Sequence, residues 1–265
     1  MTDLKSHLDA SGIDTQTWRP LRDLVDPSTM SRGDLPATEV EKKYPLYTLE
    51  TSISESFPLW ERLKPIAEAV GYYPVIVGER KNSIRLLLEG RAAAKTPEAY
   101  IAASQSLNVR QWFDDAYKDY YAYDESFTEA DILGGWEAIS PTTTFDITMY
   151  GTVRSQQYIA FFPTVTSWET PAYIGYGNWN ACPSADIHVG IHQYWHTLYD
   201  TEIIALINDI VICRVNNPVT DKDAALALAK DQMMYCDDIV NQGFGTLKAL
   251  ASSLIGSTYW SFWWD

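Results

Sequence analysis

The sequence predicts an α+β fold, a mixed or antiparallel sheet packed by helices, with an N-terminal α/β portion. Three observations carry that prediction. Apolar residues recur at helical spacing, as in Leu59, Leu63, Ile66 and Val70, and again in Leu226, Ala229, Met233, Cys236 and Val240. Short β-rich runs stand between turn residues, at 73–77 and 210–215. Hydrophobic residues make up 46% of a 265-residue chain, enough for a full core. By pattern the chain divides into an N-terminal arm (1–45), an α/β portion (46–140) and a C-terminal α+β domain (141–265).

In order, residues 1–45 are polar and broken by Pro20, Pro27, Gly33 and Pro36, with one short helix expected at 3–10. A helix is expected at 57–70, with Ser56 as its N-cap, Pro58 in the first turn and a kink at Pro65. A buried strand follows at 73–77. The run at 84–88 is too short for periodicity to decide between strand and helix. Helices are expected at 97–106 and 109–121. The segment 114–137 then sets eight acidic residues, Asp114, Asp115, Asp119 and Asp124 among them, against Lys118 alone.

After Pro141 alternation predicts a strand at 142–150, with Phe145, Ile147 and Met149 on one face, pairing as a hairpin with 157–162. A helix capped by Ser184 or Asp186 should run to Tyr199 on an apolar stripe of Ile187, Ile191, Trp195 and Leu198. Strands at 202–206 and 210–215 flank an Asn208-Asp209 turn. A long helix, capped by Thr220, is expected over 221–242, and a last one carries Leu247, Leu250 and Leu254. In the tail, Trp260, Phe262 and Trp264 alternate onto one face of a strand that must be buried.

Charge and composition exclude some functions. A net charge of −15 argues against nucleic acid as a ligand, since phosphate contacts need clustered Lys and Arg. It favours a basic partner, whose encounter an acidic surface would speed. Cys182, Cys213 and Cys236 lie far apart with no C-x-x-C, which leaves no zinc ribbon or thioredoxin motif. Free thiols fit a cytoplasmic protein. No apolar run reaches the roughly eighteen residues of a membrane span, so no membrane association is expected.

The chemically densest stretch is Y-G-N-W-N-A-C-P-S-A-D-I-H-V-G-I-H-Q-Y-W-H-T-L-Y-D-T-E, residues 176–202. Its candidate binding cluster is Trp179, Asn180, His188, Tyr194 and Trp195, rigid rings beside hydrogen-bonding groups. The competing reading is that these residues brace the loop against the helix. His188, His192 and His196 recur every four residues, which on a helix advances about 40° beyond a full turn and lets two imidazoles share a metal. The expected position of that stripe is the border of buried and exposed, and no H-E-x-x-H supplies a general base. Cys182 with His188 forms a weaker thiol–base candidate. No G-x-S-x-G elbow or phosphate loop is present.

The ordered motifs P-x-Y-I-x-Y-G-x-W-N-x-C-P (171–183), H-V-x-I-x-x-Y-W-H-x-x-Y-x-T-E-I (188–203), A-L-x-L-A-x-D-Q-x-x-Y-C-x-D-I-V-x-Q-G (225–243) and the closing W-S-F-W-W-D resemble an uncharacterised bacterial domain-of-unknown-function family. The resemblance covers roughly the last 110 residues. It implies an α+β fold and a soluble bacterial or phage-like context, and it brings no activity, cofactor or catalytic residue. In relatives the position of His192 is usually aliphatic, so a site needing all three histidines would not be a family feature.

Taken together, the sequence points to an acidic cytoplasmic protein-binding module, without cofactor. It would neutralise or sequester a basic protein partner such as a toxin, through Trp179, Asn180, His188, Tyr194, Trp195, Asp114, Asp115, Asp119 and Asp124. The alternative is a metal-dependent hydrolase built on His188, His192 and His196. The oligomeric state is left open.

Overall fold

The computed structural model describes residues 2–24, 39–79, 83–93, 95–122, 128–147 and 155–265. It begins with α1 (Thr2–Ala10), whose Leu4 and Leu8 are sealed in the core, and a short strand β1 (Arg19–Pro20). The described parts of the N-terminal stretch are therefore packed down, not hanging free. After α2 (Glu39–Lys43), β2 (Tyr47–Ser52) runs straight into α3 (Ile53–Glu68). Ser52 caps α3 by accepting from the Glu55 amide, so the helix starts a turn before the expected cap at Ser56. Ser56 lies inside, its hydroxyl donating to the Ile53 carbonyl at 2.8 Å.

Next come β3 (Tyr73–Gly78) and four helices, α4 (Ser83–Ala93), α5 (Pro97–Gln105), α6 (Val109–Ala122) and α7 (Glu129–Leu133). The ambiguous run at 84–88 is thus helical. β4 (Gln156–Phe162) follows, buried at every position but its first. It inserts between β2 and β3, antiparallel to both. The expected hairpin with 142–150 is therefore corrected: 142–147 are not in a strand, and Met149 falls outside the described residues. The physical reason is that both edges of β4 are already taken by β2 and β3.

The C-terminal part contains α8 (Thr170–Ile174), α9 (Ala185–Tyr199), the hairpin of β5 (Thr201–Ile207) and β6 (Ile210–Val215), and α10 (Lys222–Tyr235). It ends with α11 (Leu247–Leu254) and β7 (Tyr259–Trp263). The predicted long helix over 221–242 is interrupted. Cys236 turns extended, its thiol donates to the Trp263 carbonyl, and residues Ile239–Phe244 resume as a π-helical turn. The cap is Asp221, which accepts from the Ala224 amide, not Thr220.

Among the described residues, seven strands form one mixed sheet in the order β1-β2-β4-β3-β5-β6-β7. Every neighbouring pair is antiparallel except β3–β5, the one parallel pair. The α+β prediction therefore holds. Trp260, Phe262 and Trp264 are buried as expected. Phe262 sits 4.9 Å from the Tyr235 ring and stacks at 5.4 Å on Trp195, locking β7 under both α9 and α10. On α3, Lys64 reaches Glu202 of β5 at 2.8 Å, while Arg214 of β6 bonds the other oxygen of the same carboxylate. Among the described residues no helix is long and apolar enough to cross a membrane.

Candidate functional site

Helix α9 is clasped between the sheet and helices α5 and α6, and this changes the role of its histidines. The predicted stripe expected His188 and His192 at a half-exposed border. Instead both imidazoles are buried, whereas Leu198, from the predicted apolar stripe, is 43% exposed. A helix covered on two sides buries more than one stripe, which the 3.6-residue pattern alone cannot reveal.

Inside, these side chains form a polar chain anchored on Tyr235 of α10. His188 Nδ1 lies 2.6 Å and His192 Nε2 2.9 Å from the Tyr235 hydroxyl. Beyond them, Cys182 Sγ is 3.4 Å from His188 Nε2, and Cys213 Sγ is 3.6 Å from His192 Nδ1. A phenol has one proton, so Tyr235 donates to one ring and accepts from the other. The Pro183 carbonyl, which has no proton to give, also accepts from His188.

Burial keeps every member of the chain neutral. It lowers His192 from the ordinary 6.5 to about 3 and drives His188 down as well, with His192 adding to the effect. It pushes the Cys182, Cys213 and Tyr235 protons well up in pKa. The sequence did bring Cys182 and His188 together correctly. Yet a thiol held protonated beside an imidazole held neutral is a poor nucleophile–base pair. The chain is a satisfied internal brace, and a closely fitted one. At Gly177, with φ +98°, an added Cβ would stand 1.7 Å from the Pro183 carbonyl oxygen.

The same geometry does not gather the three histidines of the metal alternative into one site. His188 and His192 are both turned to Tyr235, while His196 places Nδ1 2.9 Å from the Thr201 carbonyl and its ring against Trp168. Among the described residues no group of three His, Cys, Asp or Glu side chains is arranged to hold a metal ion.

The proposed binding residues separate. Trp195 is fully buried, stacked between Phe113 and Phe262, so its ring offers no surface to a partner. His188 is likewise sealed, and half-buried Tyr194 packs on Phe113. Asp114 pairs with Arg110, and Asp115 with Lys118. Asp124 lies outside the described residues. Trp179, Asn180 and Asp119 remain at the surface, and the structure brings them round one loop.

That loop, 177–183, separates two cavities. The larger, about 470 Å³, opens beside the sequence that follows β3 and β5, the two parallel strands. Ligands commonly sit at the carboxyl ends of parallel strands. Its floor is aromatic, with Tyr176 and Trp264 buried and Trp179 standing edge-on to Tyr176 at 5.0 Å. Around it stand Glu89 of α4, Asp209 of the β5–β6 turn, and Asp265. No Lys, Arg or His is among its described lining residues. On the far side of the loop, a 230 Å³ cavity is lined by Asp119, Ala181 and Asp237. Neighbouring Asp238 accepts the Asp265 amide at 2.9 Å, which joins the two acidic groups.

Sequence reasoning gave Tyr235 no role, although it stands in the Y-C step of the motif over 225–243. It also read Asn208-Asp209 only as a turn and Asp265 only as the end of the tail.

No curated protein and no solved structure was found to be similar to the chain. Residues 158–265, from β4 to the end of the tail, match the family model described as a domain of unknown function (DUF4253), in keeping with the resemblance seen in the motifs of the last 110 residues.

Proposed function

We propose that the protein is a binding module for a basic protein partner, one that it neutralises or sequesters. Its docking face is the ground around loop 177–183. The observation that carries this reading is the gathering of carboxylates from five separate elements about loop 177–183, three round the aromatic-floored pocket and two round the smaller cavity behind it. Glu89, Asp119, Asp209, Asp237 and Asp265 come from α4, α6, the β5–β6 turn, the segment after α10 and the tail. Sequence-distant acids drawn to one face create a field that steers cations, and the half-buried Trp179 adds rigid contact area at its centre. A reducing, cytoplasmic setting belongs to the proposal, supported by three cysteines that remain free thiols.

The test uses a nonapeptide of alternating arginine and glycine as probe. One variant neutralises the face (Asp119→Asn, Asp209→Asn, Asp237→Asn, Asp265→Asn). A second, matched in net charge, neutralises Asp14, Glu55, Glu61 and Asp223, which are exposed and line neither cavity. Calorimetric binding that the face variant loses and the matched variant keeps supports the proposal. Equal loss in both would reduce the acidity to a solubility device.

A further inference from the structure

We infer that the 470 Å³ pocket receives an arginine side chain of the partner; this rests on the binding reading above and names the chemistry of its central contact. The pocket combines three features that a guanidinium uses together. Its walls are aromatic, and a planar, weakly hydrated cation stacks on such faces where a compact ammonium prefers water. Its carboxylates stand on different elements, and they are not equally free. Glu89 is held by Arg85 at 2.9 Å, whereas Asp209 and Asp265 have no ion-pair partner among the described residues. Among the described residues the Asp209 carboxylate accepts from the Asn208 side-chain amide, at 3.1 Å.

A further polar group is unspent. The Tyr176 hydroxyl, on a ring that is 5% exposed and forms part of the pocket wall, has no hydrogen-bond partner among the described residues. An unpaired buried hydroxyl costs free energy that a group reaching it would recover. The pocket's size also limits the occupant. It lies within the range of roughly 300–1,000 Å³ usual for small-molecule sites, which leaves room for the arginine and its flanking peptide. The arrangement therefore suits a long cationic side chain that enters from a partner's surface loop, lays its methylenes along Leu87 and Ile174, and presents its fork to Asp209 and Asp265.

Three capped tripeptides separate this inference from the broader one: glycyl-arginyl-glycine, its lysine analogue, and its citrulline analogue, which keeps the shape and removes the charge. Titrations are followed by calorimetry and by the indole N–H resonances of the labelled protein. The expected result is saturable binding of the arginine peptide, with lysine weaker by about tenfold and citrulline undetectable. Asp209→Asn and Trp179→Ala, both at the rim of the pocket, should each weaken arginine binding by about tenfold while the melting curve stays unchanged. Lysine binding as well as arginine, or arginine binding that ignores both variants, overturns the inference. If the nonapeptide still depends on the acidic face while the arginine tripeptide does not bind, the pocket assignment falls and the basic-partner reading stands. If neither peptide binds, both fall.

Discussion

The buried chain through Tyr235 makes the stability of the fold depend on pH in a way that can be worked out. In the unfolded chain His192 titrates near 6.5; in the native protein burial holds it to about 3. Between those values the unfolded state binds a proton that the native state refuses. The contribution is thus fully present above about pH 6.5 and is lost as pH falls towards 3. At pH 5 the difference amounts to about 1.5 pH units, or about 2 kcal/mol from His192 alone. His188, shifted in the same direction, adds to it. No charged side chain bonds to either ring. Their partners are Tyr235, Cys182, Cys213 and the Pro183 carbonyl, and of these the carbonyl alone favours the protonated form, at His188, without outweighing burial.

The assay is urea unfolding followed by tryptophan fluorescence at pH 5, 6, 7 and 8. With an m-value of about 3 kcal/mol per molar, His192 alone should lower the midpoint by about 0.7 M between pH 7.5 and pH 5. Asp231 and Asp237 act in the opposite sense, because burial raises their pKa and the native state there holds a proton longer. The comparison that isolates the imidazole is therefore His192→Leu. It should be less stable at pH 7, since Tyr235 loses a partner, yet its pH slope should be shallower by about one proton. An unchanged slope in that variant, or a native His192 that titrates near 6.5, would refute the neutral chain.

Three further outcomes follow from the same core. Phe262→Ala should cost about 3–5 kcal/mol, and deletion of 259–265 should leave insoluble or molten protein, because Phe262 is fully buried against Tyr235 and Trp195; a truncated chain that melts like the whole one would contradict this. Purified without chelator, the protein should carry less than about one tenth of an equivalent of zinc, nickel or iron by elemental analysis, since His188 and His192 are committed to Tyr235; stoichiometric metal lost in a His188→Ala, His196→Ala double variant would restore the hydrolase reading.

Much of the fold was legible because local signals agreed with tertiary demand. The β5–β6 hairpin, with its Asn208-Asp209 turn, and the alternating tail follow from patterning, and so do α5, α6 and α11 with their turn and cap residues. What failed was whatever depended on neighbours distant in sequence. Nothing local tells β4 to slot between β2 and β3 instead of pairing with the alternating residues before it. Likewise α10 ends at Cys236 because its thiol and Asp238 serve the tail nearly thirty residues away, at separations of 27 in both cases. The candidate site divides the same way. Trp179 and Asn180 were found from chemical density, but Trp195, though placed on the apolar stripe, was also counted as a partner contact, and His188 was expected at a half-exposed border because a helix clasped on two sides looks amphipathic in sequence. Asp209 reads only as a turn residue and Asp265 only as the close of the W-S-F-W-W-D tail, and only the fold sets them round Trp179.

The central claim is that this acidic, tryptophan-bearing face captures a basic partner, and association kinetics test it most directly. The arginine–glycine nonapeptide is flowed over immobilised protein at low and high salt. Exposed charges more than about 8–10 Å apart are largely screened at physiological ionic strength, so the on-rate should fall as salt rises. Neutralising Asp119, Asp209, Asp237 and Asp265 should lower the on-rate in the same way. Trp179→Ala should act mainly on the off-rate. An on-rate indifferent to salt and to the four aspartates, or an off-rate untouched by Trp179→Ala, would contradict the assignment of this face.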